Sequence, residues 1–244
     1  MAQLALEEVS ALSEDNIKLR VKFSKHGLMK YIGHLDVMRY FQKLIRRCGL
    51  DIAYSAGYSP HQIMSFAQPL GVGLESDGEY MDIEVHSAES SEKVMEMMNS
   101  TQAEGMWVTD VVRLGDGIGN AMASVAQAEY NVRIRPGKEP AFDMKEAIDW
   151  FNSSEEVIIE KKTKKSTREV NLKELVYRLE SCEDGSVQMR LCAGSGSNIK
   201  PGLLYNAIYE HYGVGECGPT DLLITRCDIF DENGKPLIEA GEHF

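Results

Sequence analysis

From residue 17 the chain alternates. In "IKLRVKF" (17–23) the apolar Ile17, Leu19, Val21 and Phe23 are separated by Lys18, Arg20 and Lys22, the period-two pattern of a half-buried strand whose other face is positive. Past the turn "SKHG" the period lengthens. From near His34, Met38, Phe41, Ile45 and Cys48 recur at i, i+3, i+7 and i+10, a helical core stripe. Arg39, Lys43, Arg46 and Arg47 fall on the other side, and Gly49 supplies a C-cap signal. "LDIAYS" then reads as a short strand, "AGYSPHQ" as a loop and "YMDIEV" (80–85) as another alternating strand. "SSEKVMEMMNS" is a helix with a serine N-cap signal, and "MWVTDVVRL" is a strand. The succession β-α-β-β-α-β predicts a ferredoxin-like unit.

The second half repeats this order without repeating the sequence. "ASVAQAEYNVRIR" (123–135) reads as a strand, and "PAFDMKEAIDWF" as a helix with Pro140 in its first turn and Met144, Ile148 and Phe151 on one face. "EVIIEKK" is a strand, "VYRLES" and "SVQMRLCA" a hairpin, "KPGLLYNAIYEHYG" a helix begun by Pro201, and "DLLITRCDIF" a closing strand. The expected fold class is therefore α+β, with two tandem ferredoxin-like domains over residues 15–115 and 122–244, linked by "GDGIGNAM".

A chain of 244 residues is long enough for two such domains, since domains cluster near ~100–150 residues. No stretch approaches the ~18 apolar residues of a membrane helix, and "MAQLALEEVSALSEDN" lacks the basic start of a signal peptide, so a cytoplasmic location is expected. Five cysteines (Cys48, Cys182, Cys192, Cys217, Cys227) contain no C-x-x-C pair and no C-x-x-x-C-x-x-C triplet, which argues against a zinc ribbon and a locally bound iron–sulfur cluster. Cys182 and Cys192 are candidates to face each other across a hairpin.

Charge changes the picture most. The net charge is -12, which opposes indiscriminate binding to a polyanion. Yet between Lys18 and Arg47 nine Lys and Arg stand against one acid, Asp36, leaving -20 for the rest of the chain. Such asymmetry points to one directed anionic partner.

The chemistry-bearing residues gather in two stretches. Around the expected helix start lie Ser24, Lys25, His26, Lys30, Gly33, His34 and Asp36, where unpaired N–H groups and cationic side chains suit phosphate. The long loop "YSAGYSPHQIMSFAQPLGVGLESDGEY" (54–80) brings Tyr54, Ser55, Tyr58, Ser59, His61 and Ser65, aromatics and hydroxyls suited to stacking on unpaired bases and touching sugar and phosphate. Nucleic-acid contacts are thus expected from Lys25, Lys30, Arg39, Lys43, Arg46, Arg47, Tyr54, Ser55, Tyr58 and Ser59, with His26, His34 and His61 as acid–base candidates. Against this stand a merely solvated basic face and a structural loop. No histidine pair has the i, i+4 spacing of helix metal ligands, so no metal site is expected. "KKTKKSTR" (161–168) reads as a solvated hairpin turn, and "GVGECG" (213–218) as a glycine-rich turn able to approach a ligand closely. Nucleotide-hydrolase, dinucleotide and zinc-protease motifs are absent.

Residues 21 to 85 carry a resemblance. "FSKHGLMKYIGHLD" (Phe23 to Asp36) and "YSAGYSPH" (Tyr54 to His61) resemble the F-S-K-x-G-x-L-x-Y-x-G-H-L-D and Y-S-x-G-x-x-P-H segments of an uncharacterised bacterial family described as radical-SAM-linked, with Met29 where that family often has another apolar residue. The resemblance implies work beside, or fused to, a radical SAM enzyme. Because this chain lacks cluster cysteines, S-adenosylmethionine and the iron–sulfur cluster would belong to that partner, with no cofactor held here. At the level of fold alone, the tandem arrangement is also similar to the RAMP-type RNA-binding proteins and endoribonucleases, which place a glycine-rich loop before their last strand.

Three functions follow as expectations. The first is an accessory protein that binds transfer or ribosomal RNA and presents it to a radical SAM modification enzyme, without catalysis of its own. The alternatives are a metal-independent endoribonuclease or other enzyme using a histidine acid or base, and a protein-interaction module that docks the partner enzyme.

Overall fold

The computed structural model describes residues 16–162 and 167–244. The signal-peptide reading of the first residues, and the centre of "KKTKKSTR", lie outside the described residues. The chain is α+β and divides into two compact units. One holds residues 16–73, 78–124 and 236–244, the other residues 74–77 and 125–235.

In the first unit β1 (Ile17–Lys25) leads through a 3-10 turn (Gly27–Tyr31) into α1 (His34–Cys48), followed by β2 (Met64–Phe66), β3 (Glu75–Val85), α2 (Ser91–Ser100), β4 (Met106–Leu114) and the one-turn α3 (Ala121–Ser124). The strands lie in the order β4-β1-β3-β2, with β1 antiparallel to β4 and β2 antiparallel to β3. The strand expected at "LDIAYS" is only a pair of isolated bridges, Ile52 to Val85 and Tyr54 to Gln62; the paired strand is Met64–Phe66. The run between them is kept open by Gly57, which needs φ 111°.

Helix α1 forms where the sequence places it. Asp36 in its first turn suits the positive end of the helix, Arg46 and Arg47 the negative end, and Gly49 closes it in the left-handed region (φ 75°). Its N-cap is Gly33, which offers no side chain, so His34 is the first helical residue rather than a cap. The buried stripe is Val37, Phe41, Leu44 and Ile45, while Met38 and Cys48 are only half-buried. It packs with Leu19, Val21 and Phe23 of β1, Met81, Ile83 and Val85 of β3, and Val94 and Met98 of α2 into one core.

The second unit contains β5 (Gln127–Ile134), α4 (Met144–Ser153), the hairpin β6 (Ile158–Lys162) and β7 (Thr167–Asn171), then β8 (Val176–Ser181), β9 (Val187–Cys192), α5 (Pro201–His211) and β10 (Leu222–Phe230). Its strand order is β10-β5-β9-β8, all antiparallel, with Glu75 and Ser76 paired to β10 in parallel. The strand read at "EVIIEKK" pairs only with β7, as a separate two-stranded sheet. Pro140 does not open α4. Asp143 caps it, its carboxylate accepting from the N–H groups of Lys145 (2.8 Å) and Glu146 (3.1 Å). Cys182 and Cys192 sit at opposite ends of the β8–β9 hairpin, where Cys182 meets Ser186 and Cys192 meets Leu175; all five cysteines are free thiols.

Residues 236–244 were read as the end of the second domain. They count instead with the first unit, where β11 (Gly241–Glu242) adds to β4 through Leu114 and Arg113. No helix among the described residues is long and apolar enough to cross a membrane.

Candidate functional site

The basic residues of the first unit meet two fates. On β1, alternation puts Lys18, Arg20 and Lys22 on the face opposite the core, yet that face is not an open positive surface. Arg20 is 0 % exposed. Its guanidinium grips Asp82 of β3 with Nε to Oδ1 at 2.8 Å and Nη2 to Oδ2 at 3.0 Å, and donates to the carbonyls of Leu237 (3.0 Å) and Gly119 (3.1 Å). A guanidinium this deep is stable because its fork meets a carboxylate and two carbonyls at once.

Lys25, expected at the phosphate-binding surface, is buried. At 2 % exposure it is not a surface cation available to a phosphate chain; its Nζ donates to the Ile32 carbonyl at 3.3 Å. It lines a water-sized cavity of about 10 Å³ with His34, Phe66 and the buried Glu79. The odd position of Lys25 in β1, on the side of Phe23, carries it under the start of α1. There the His34 ring meets Phe66 edge-on at 5.3 Å.

On α1 the basic stripe is open. Arg39, Lys43, Arg46 and Arg47 recur at i, i+4, i+7 and i+8 and are all exposed. Arg39 shares an exposed ion pair with Asp36 (3.3 Å), and Arg46 donates to the Gln42 carbonyl (3.1 Å). Arg47 donates to the Thr101 carbonyl (3.0 Å), and the Tyr40 hydroxyl accepts from the Ala103 N–H (2.9 Å), so the helix is fixed to the segment after α2. Burial raises the Tyr40 phenol above its ordinary value. The Lys43 side chain has no ion pair or hydrogen bond among the described residues.

The loop beside α1 is stitched by one Ser–His pair. The Ser55 N–H donates to the His61 carbonyl (2.9 Å), the His61 N–H donates to Ser55 Oγ (3.2 Å), and Oγ lies 2.8 Å from His61 Nδ1. This pair fixes the position of the exposed His61 ring in either tautomer. The Ser59 carbonyl lies 3.4 Å from the same Nδ1. Gln62 ties the loop to α1 by donating to the Gln42 carbonyl (3.3 Å), and leaves Tyr54 half out and Tyr58 fully exposed.

The His26 backbone is tied to the turn before β4. Its N–H donates to the Gly105 carbonyl (2.8 Å), and a Cβ at Gly105 would meet the His26 carbonyl at 2.5 Å. Among the described residues no group of three or more His, Cys, Asp or Glu side chains is arranged to hold a metal ion. The glycine-rich "GVGECG" belongs to the second unit, where Cys217 is buried and its N–H donates to Asn206 Oδ1 (2.9 Å). Burial, then Asp221, pushes the Cys217 thiol up, and burial carries the Tyr209 phenol up to about 12, so both stay neutral.

Sequence reasoning missed two features. One is Asp82, the partner that takes Arg20 out of the basic surface. The other is an exposed apolar group around the 3-10 turn: Leu28, Tyr31, Leu35 and Val72, each at least 60 % exposed, with Lys30 Nζ 5.6 Å over the Tyr31 ring. The Gly73 N–H to Lys30 carbonyl bond (2.8 Å) brings Val72 to that turn. Its signal was the apolar run "GLMKYI" in a segment too short for a core helix.

No curated protein matches the chain. Residues 18–201 match the family described as an uncharacterized protein conserved in bacteria, DUF2344, and span both sets of motifs quoted above from Phe23 to His61. The chain belongs to that family.

Proposed function

We infer that this protein binds RNA through the exposed face of α1 and the adjoining Tyr54–His61 loop, and presents it to a partner enzyme. The observation that carries the reading is the stripe Arg39, Lys43, Arg46, Arg47, open to solvent beside two exposed tyrosines in a chain of net charge -12. Cations in a row supply a salt-dependent hold on phosphates, and tyrosines beside them supply faces for unpaired bases. His61, exposed and held by Ser55, adds a polar contact for a phosphate or sugar oxygen. The resemblance of Phe23 to Asp36 and Tyr54 to His61 to radical-SAM-linked proteins supports transfer or ribosomal RNA as the ligand and a cytoplasmic radical SAM enzyme as the partner, with S-adenosylmethionine and the cluster on that partner.

The test is retention of total small RNA by the purified protein across a salt series, with a Lys43→Glu, Arg46→Glu variant beside it. Arg47 is spared because its bond to Thr101 holds the helix. Saturable binding that falls with salt, and a variant whose salt slope is lower by about 2, are the expected results. Binding that is equal in the variant overturns the reading. Incubation of bound RNA separates a binder from an endoribonuclease, whose acid or base would be His61, His34 or His26.

A second reading has its own observation. The exposed Leu28, Tyr31, Leu35 and Val72 group suits a protein partner, since apolar side chains gathered on a surface mark docking sites. In that reading the chain is an interaction module for the radical SAM enzyme, and a Tyr31→Glu, Leu35→Glu variant loses the enzyme while RNA retention is unchanged.

A further inference from the structure

The face of the first unit's strands opposite α1 holds a cleft that the RNA reading leaves unused. Core residues Met64, Phe66, Met81 and Ile83 alternate with Ser65, Asp82 and Glu84, so the second set lies on the opposite face, together with Lys18 of β1. There the strands and the segment after β4 enclose about 350 Å³, a volume within the range of small-molecule sites. Its apolar wall includes Ile63, on the same face as Ser65, and Ile118.

The cleft is built rather than incidental. Arg20 grips Asp82 on the floor and the Gly119 carbonyl on the wall, and Asp82 Oδ2 also accepts the Ala121 N–H at 2.6 Å. A buried ion pair is costly to assemble, and here it fixes the wall segment 119–121 against the strands. Asp82 is consumed in that role and adds no net charge to the cleft.

What remains is one cation and one anion, each without the other. The Lys18 side chain lines the cleft with no ion pair or hydrogen bond among the described residues. Glu84 is held by Asn16 Nδ2 at 3.0 Å and pairs with no cation among them. Asn120 spends Oδ1 on the Ala123 N–H (2.9 Å), which leaves its Nδ2 donor, and the Ser65 hydroxyl also has no partner among the described residues. A plain anion would meet Glu84, and a plain cation would meet Lys18. A molecule carrying both charges at one end and an apolar body satisfies every group.

We propose that this cleft binds a zwitterionic small molecule, an α-amino acid with an apolar side chain or a compound ending in one. The carboxylate meets Lys18 and Asn120, the ammonium meets Glu84, and the apolar body lies on Ile63 and Ile118. The site is separate from the α1 face and does not depend on RNA binding.

The experiment is methyl NMR of the full chain titrated with L-leucine, following Ile63 and Ile118, alongside N-acetyl-L-leucine and L-leucinamide. Saturable shifts with leucine are expected, and each blocked analogue binds at least about tenfold more weakly because one charge-assisted hydrogen bond is lost. Lys18→Gln and Glu84→Gln each weaken leucine binding by about tenfold, with unfolding midpoints unchanged because both side chains lie outside the core. Absence of saturable shifts up to about 10 mM, weaker than any useful affinity, overturns the proposal. So does equal binding of either blocked analogue, or unchanged binding in Lys18→Gln.

Discussion

β1 and α1 carry similar basic charge in sequence and put it to opposite use. In β1 Arg20 and Lys25 are buried and act as internal ties, whereas in α1 all four cations of the stripe face water. The difference is geometric. A strand has two faces and both can be covered: β1 has the helices on one side and residues 119 and 237 over Arg20 on the other. A helix packed by one stripe leaves the rest of its circumference open. A count of lysines and arginines therefore overstates the positive surface wherever the residues come from a central strand.

The comparison is broken most forcefully at Asp82. Asp82→Ala leaves the Arg20 guanidinium buried with only carbonyls for company, and a loss of about 3–5 kcal/mol is expected in a denaturant titration. An Arg20→Met, Asp82→Leu double variant removes both charges and restores most of that loss. On α1, Arg46→Ala should stay within about 0.5 kcal/mol of the parent, because its side chain is solvated. If Asp82→Ala were as mild as Arg46→Ala, the two regions would not differ as described.

Lys25 and Lys43 sharpen the same contrast kinetically. Brief labelling with an amine-reactive reagent, read by mass spectrometry, should modify Lys43 at the rate of a free lysine. Lys25 should react at least about tenfold more slowly, since its amine is reached only through local opening. Equal rates would return Lys25 to the surface set.

A third test uses pH. His243 Nε2 lies 2.7 Å from Asp110 Oδ1, and that bond followed by the charge of Asp110 raises the imidazole above its usual 6.5. The folded state holds this proton more tightly than the unfolded one. The pair's contribution is therefore whole below about pH 6 and is lost as pH rises through the raised value. Because the side chain is 63 % exposed, the change in unfolding midpoint should be small, and His243→Gln should flatten it.

The fold class was legible because periodicity is local: period two in 17–23 and the 3.6 period in 34–48 are set by residues a few positions apart. The outcomes that were not legible depend on distant partners. Nothing around Arg20 indicates Asp82, sixty-two positions away, and nothing around Tyr54 indicates that its strand-like stretch makes only two isolated bridges, to Val85 and Gln62. The His61 and Ser55 residue types stood out in a glycine-opened loop, but their pairing through side chain and backbone needed the observed bonds. The segment 236–244 was assigned by chain order, while strand pairing with β4 decided its place.

The smallest effect concerns the single acid in the basic segment. Asp36 has two roles that oppose each other in sign. In the first turn of α1 it complements the helix dipole, worth about 0.3–1 kcal/mol, and its exposed pair with Arg39 adds little because both side chains are solvated (65 % and 60 % exposed). At the same time its carboxylate competes with any phosphate for Arg39. Asp36→Asn should therefore lower the unfolding midpoint slightly and raise RNA affinity by about two- to threefold at low salt, with the gain vanishing as salt screens Arg39. If stability fell and affinity fell with it, Arg39 would depend on Asp36 for its position, and the open stripe would reduce to Lys43, Arg46 and Arg47.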